Sequence, residues 1–133
     1  MFLMLLLNFT LAFGQEIEIN KIEDYNLVKL INGIELLSEK RTDDLSLRIF
    51  KLANLPGSAG YASSEVIHDL LIAVSEYDEL PDQSVFRVSS FYNPKIMDWK
   101  TENLEPVVLI EYGPYDERKQ LTIQISLQKI TLE

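Results

Sequence analysis

The stretch Ser63-Ser64-Glu65-Val66-Ile67-His68-Asp69-Leu70-Leu71-Ile72-Ala73-Val74-Ser75-Glu76-Tyr77-Asp78 decides how the rest of the chain is read. At about 100° per residue, Val66, Ile67, Leu70, Leu71, Val74 and Tyr77 fall on one apolar stripe. Glu65, His68, Asp69, Ser75 and Glu76 take the other side. Ser63 or Ser64 can cap the first turn with its hydroxyl, Glu65 suits the positive end of the dipole, and Pro81 opposes continuation. The spacing predicts an amphipathic helix laid across a sheet, with the stripe as core seam. Ile72 breaks the pattern, because it is apolar yet lies opposite the stripe. On this reading Ile72 is either bare or covered by a partner or by residues 15–31.

Upstream, residues 15–22 alternate Ile17 and Ile19 with Glu16, Glu18 and Asn20, as an edge strand or a solvated leader does. Asn32-Gly33 is a tight-turn signal that would pair residues 27–31 with 34–39; helix is the competing reading for 25–31. Residues 40–44 read as a turn. Leu45, Leu47 and Ile49 then alternate with Ser46 and Arg48 as a half-buried strand.

Downstream, residues 85–92 are rich in strand formers, and Asn93-Pro94 stops them. Residues 93–105 read as a loop with a helical turn at 96–99. Residues 106–112 are apolar on both faces, as in a central strand, and 113–118 have the composition of a hairpin turn. Leu121, Ile123, Ile125 and Leu127 alternate with polar residues. Ile130 and Leu132 then change parity, which predicts a bulge near Gln128-Lys129. The expected fold is α+β: a mainly antiparallel sheet of five or six strands with one amphipathic helix packed on one face.

Residues 2–7 are unbroken apolar, the run extends to Phe13, and Ala12-Phe13-Gly14 offers small residues at the −3 and −1 positions of a cleavage site. This is the pattern of a secretory signal peptide, although no Lys or Arg precedes it. The expectation is therefore a signal peptide at 1–14, a single domain at 15–133, and a secreted or periplasmic location with no stable membrane insertion once the signal is removed. The run is too short to span a bilayer comfortably.

The 133-residue chain carries 12 basic and 21 acidic residues, for a net charge of −9. Nucleic-acid binding rests on neutralising phosphates with Lys and Arg, so this balance and the lack of a basic block argue against such a partner. No cysteine is present, which excludes disulfides, thiolate nucleophiles and thiolate metal sites.

Candidate chemistry is sparse. His68 is the single histidine; a general base needs an orienting carboxylate and a cleft, and the stripe puts His68 on the solvated side. Gly57-Ser58-Ala59-Gly60 precedes the expected helix but lacks the phosphate-loop ending. Glu76, Asp78, Glu79 and Asp82 crowd one corner, and oxygen-rich corners of this kind suit a cation such as Ca²⁺. Tyr92, Trp99, Tyr112 and Tyr115 stand at the ends of expected strands, where aromatic residues on loops serve recognition. No cofactor motif occurs. The functional expectation is a small exported acidic protein, not an enzyme, that binds another protein or an extracellular ligand. The alternative is a small carboxylate-based hydrolase or a cation-dependent module.

Overall fold

The computed structural model describes residues 17–53 and 67–133. The expected signal peptide, Val66, and the Gly57–Gly60 and Ser63–Glu65 features of the sequence lie outside these residues. The described chain runs α1 (Tyr25–Gly33), β1 (Ile34–Arg41), β2 (Leu45–Ala53), β3 (Ile67–Glu76), β4 (Gln83–Tyr92), β5 (Lys95–Glu102), β6 (Glu105–Tyr112), β7 (Lys119–Ile125) and β8 (Ile130–Leu132). Two four-stranded antiparallel meanders result, β1-β2-β3-β4 and β5-β6-β7-β8. The mainly antiparallel character and the single helix agree with the sequence reading. The number of sheets does not: two sheets of four strands replace one of five or six.

The decisive stretch is a strand. Within β3, Leu70, Ile72 and Val74 are buried, with Ile72 at 0% exposure. Their period is two, the period of a strand. The helical stripe joined Leu70 and Val74 with residues that the strand puts on the opposite face or at its ends. Leu71 and Ile67 are half-buried and Tyr77 is exposed. Ile72 looked anomalous because the assumed period was wrong. In an extended chain it sits in the same row as Leu70 and Val74. Tertiary burial on an interior strand has overridden a spacing that also fits a helix.

The only described helix lies elsewhere. Asp24 caps α1, its carboxylate accepting from the N–H groups of Asn26 (3.0 Å) and Leu27 (3.2 Å). Asn32-Gly33 therefore closes a helix and does not turn a hairpin; residues 34–39 are strand as expected. Residues 17–24 have no regular structure and are exposed, which matches the leader reading of that segment.

Two further expectations are corrected. Residues 93–105 are not a loop: β5 occupies most of them. Its charged residues Lys95, Asp98, Lys100 and Glu102 hide the strand pattern. The turn that follows uses Asn103 and Leu104, both at positive φ (49° and 67°), as a two-residue hairpin of the primed type requires. Leu104 is an unusual residue for that position, so the turn sends no signal. The parity change after Leu127 is a tight hairpin to β8 and not a bulge. Ser126 Oγ accepts from the Lys129 N–H (3.1 Å), and the Ser126 N–H donates to the Lys129 carbonyl (2.9 Å).

The sheets stack over one core. Leu47, Ile49, Leu70, Ile72, Val88 and Phe91 from the first sheet meet Val108, Ile110, Ile123 and Ile125 from the second. Side-chain hydrogen bonds tie the two margins. Trp99 Nε1 donates to Ser38 Oγ (2.9 Å), joining β5 to β1. Ser84 Oγ donates to the Leu127 carbonyl (2.6 Å), joining β4 to the β7–β8 turn.

Gly113 opens the β6–β7 hairpin at φ 112°, and a Cβ there would lie 2.6 Å from the Glu117 carbonyl oxygen. Gly113→Ala is expected to cost about 1–3 kcal/mol through positive-φ strain and this clash. A thermal melt checks it; an unchanged midpoint would mean that the hairpin can rebuild with an ordinary turn.

Candidate functional site

The two outer faces of the sandwich differ in kind. Strand register assigns them, since side chains alternate between faces. On the second sheet, Ile110 and Ile123 point inward, so the outward set includes Lys95, Asp98, Lys100, Glu111, Thr122 and Gln124, with Val107 and Leu109 between them on the central strand. Polar and charged side chains surround the two apolar ones, and Val107 is fully covered.

The first sheet has an apolar outer face. Leu36, Phe50, Leu71 and Arg87 stand in one cross-strand row. Ile34, Leu52 and Asp69 form the next row on one side, and Glu39, Arg48, Ala73 and Val85 the next on the other. Leu36 is 49% exposed and Val85 68%. The guanidinium of Arg48 lies over the Phe50 ring, 5.9 Å from its centroid, a cation–π contact. α1 reaches the end of this face, where Gly33 sits against Leu52.

Asp69 and Arg87 anchor the far side of the face. Asp69 is 1% exposed. Arg87 donates through Nε to Asp69 Oδ2 (2.7 Å) and also through Nη2, while its own side chain is 59% exposed. Asp69 Oδ1 is buried with no hydrogen-bond partner among the described residues. Asp69 falls where the β3–β4 register shifts between His68 and Leu70, an irregularity that re-aims side chains. His68 is half-buried and not the surface residue that the helical reading implied.

The aromatic residues picked out in the sequence divide. Tyr92, Tyr112 and Tyr115 come to one end of the sandwich. The Gly113 N–H donates to the Tyr92 carbonyl (2.9 Å), and Tyr112 packs edge-on against Phe91 with ring centroids 5.2 Å apart. Tyr115 stands bare in the turn. Arg118 clamps this end, donating to Glu111 Oε1 (2.9 Å) and to the carbonyls of Gly113 (2.5 Å) and Asn93 (2.9 Å). Trp99 is apart from them, packed against the core at the β1–β5 margin.

The acidic residues lie at the opposite end. Glu76 closes β3, Asp78 and Glu79 are in the β3–β4 connection, and Asp82 precedes β4. Glu76 and Asp78 share an open hollow of about 450 Å³ with Asp43, Asp44, Leu45 and Tyr77. Asp43 and Asp44 were not foreseen there, because only the pairing of β2 with β3 brings the two connections together. A neighbouring hollow of about 420 Å³ is lined by residues including Lys40, Arg41, Thr101 and Leu104. Among the described residues, no three carboxylates or histidines are arranged to hold a metal ion, and no helix is long and apolar enough to cross a membrane.

No family model matches the chain, and no curated protein or solved structure shows significant similarity to it.

Proposed function

We propose that the protein is a small exported binding module, not an enzyme, that holds another protein against the outer face of its first sheet. The observation that carries this reading is the inequality of the two outer faces. The second sheet's outer face is mostly charges and amides, with apolar residues only at Val107 and Leu109 of its central strand. The first sheet instead spreads Ile34, Leu36, Phe50, Leu52, Leu71 and Val85 over four strands. Contiguous exposed apolar surface rimmed by polar residues marks interaction sites. Arg48 and Arg87 add donors on an apolar ground, and arginine is enriched among residues that dominate binding energy. The face extends over four strands, an area that suits a protein partner better than a small molecule, since small ligands favour concave pockets.

The test is a comparison of the protein with a Leu36→Asp/Val85→Asp variant. Both substituted residues are exposed, so the fold is expected to persist, with melting curves close to the parent. Chemical cross-linking in the exported fraction, read by mass spectrometry, is expected to capture a partner with the parent protein and about tenfold less with the variant, the effect of losing about 1.4 kcal/mol. Equal capture by both proteins would sink the reading.

A further inference from the structure

Four strands form the free edges of the two sheets, and three of them are guarded. Exposed edges present unpaired N–H and C=O groups to any passing strand, and natural proteins blunt them with charge, shortness or cover. β1 carries Glu35, Glu39, Lys40 and Arg41. β5 carries Lys95, Asp98, Lys100 and Glu102. β8 has three residues. β4 is different. It is ten residues long, contains no proline and has one charged residue, Arg87, which is already bound to Asp69. Its ladder with β3 runs unbroken from Gln83 to Val88. Among the described residues no strand pairs with its other side.

The same chain holds a segment with a strand's pattern and no sheet. Ile17-Glu18-Ile19-Asn20 alternates as a strand does, yet Ile17 is 92% and Ile19 95% exposed. A lone strand is not stable in water, because its backbone groups and apolar side chains lack partners. We propose that residues 17–20 of a second copy of this chain add to the open edge of β4. The unbroken ladder of β4, residues 83–88, is long enough to take all four. An antiparallel register with Glu18 opposite Arg87 puts Ile17 beside Val88, Ile19 beside Phe86 and Asn20 beside Val85. The two isoleucines then continue the inward-facing row of β4. Glu18 meets the exposed guanidinium on the outer face.

In the single chain the leader does not sit on β4: residues 17–24 have no regular structure and Ile17 and Ile19 are exposed, so the leader proposed for this edge is that of another copy.

The absence of cysteine allows a direct test. Asn20→Cys is placed in one preparation and Val85→Cys in another; both positions are exposed, so neither change should disturb the fold. Directly opposed residues in neighbouring strands have the Cα separation that a disulfide needs. Mixing the two proteins under mild oxidation should give a mixed dimer on a non-reducing gel. Adding Glu18→Lys to the Asn20→Cys protein should lower its yield about tenfold or more, the scale of a hydrogen bond to a charged group. Two results would overturn the proposal. One is a mixed-dimer yield no greater than when Asn20→Cys is mixed with Met97→Cys on the guarded β5. The other is an internally bridged monomer as the main product of the Asn20→Cys/Val85→Cys double variant, which would make the chain's own leader the occupant.

Discussion

Ile72→Ala is expected to lower the free energy of unfolding by about 2–5 kcal/mol, the range for truncating a fully buried isoleucine. Urea denaturation gives the measurement, with the loss appearing as a lower midpoint at unchanged slope. The effect follows from position: Ile72 is central in β3, pairs with Ile49 and Phe86 on either side, and has no exposed surface. Leu71→Ala, one residue away on the half-buried outer face, is expected to cost distinctly less. A helix with the apolar stripe predicts the opposite order, since Leu71 lies in that stripe and Ile72 does not. Finding Leu71→Ala the more damaging change would contradict the strand assignment and with it the register of the whole first sheet.

Arg87→Ala is expected to destabilise the protein by about 3 kcal/mol. The guanidinium itself is largely exposed, so the loss does not arise from its own burial. It arises because the Asp69 carboxylate, 1% exposed, is left without the donor that compensates its desolvation. One of its oxygens already lacks a partner among the described residues, so the site has nothing in reserve. The Asp69→Leu/Arg87→Leu double variant is expected to recover most of the stability, to within about 1–2 kcal/mol of the parent, because replacing both members of a buried pair by apolar groups is often near neutral. Denaturation of the parent, Arg87→Ala, Asp69→Leu and the double variant supplies the comparison. A double variant no more stable than Arg87→Ala would show that the pair holds the fold by something other than charge compensation.

Much of the fold was legible one strand at a time. β2, β4, β6 and β7 announce themselves through alternation or through β-branched runs, and the hairpin at 113–118 through its Gly-Pro composition. β3 was misread because its six apolar residues satisfy two periods at once. The helical count could be preferred only by leaving Ile72 unexplained, and that residue was the signal that the period was two. β5 was hidden by its charges, which an edge strand needs, and by a turn that uses Leu104. Pairing was not legible at all. It depends on which strands meet, and no local pattern says that Asp43 and Asp44 end up beside Glu76 and Asp78.

The candidate surface shows the same limit. Leu36, Phe50, Leu71 and Val85 are scattered over fifty residues, and each is unremarkable in its own segment. Only the register gathers them into a face. The aromatic residues singled out by their strand-end positions gather in part, with Tyr92, Tyr112 and Tyr115 at one end and Trp99 committed to the core margin. Arg87 and Asp69 carried no signal, because a charged residue in a strand reads as solvated until its partner is known.

The chain crosses from one sheet to the other within its described residues only once, at Asn93-Pro94 between β4 and β5. Every described strand before that point belongs to one meander, and every described strand after it to the other. No backbone ladder spans the two layers. Their mutual alignment therefore rests on interlocking side chains and on polar fasteners: Trp99–Ser38 at one margin, Ser84–Leu127 at the other, and Gly113–Tyr92 with Arg118–Asn93 beside the crossing. The molecule is in effect two halves of one shell, each with a greasy inside, held by fit and clamped where the chain passes between them.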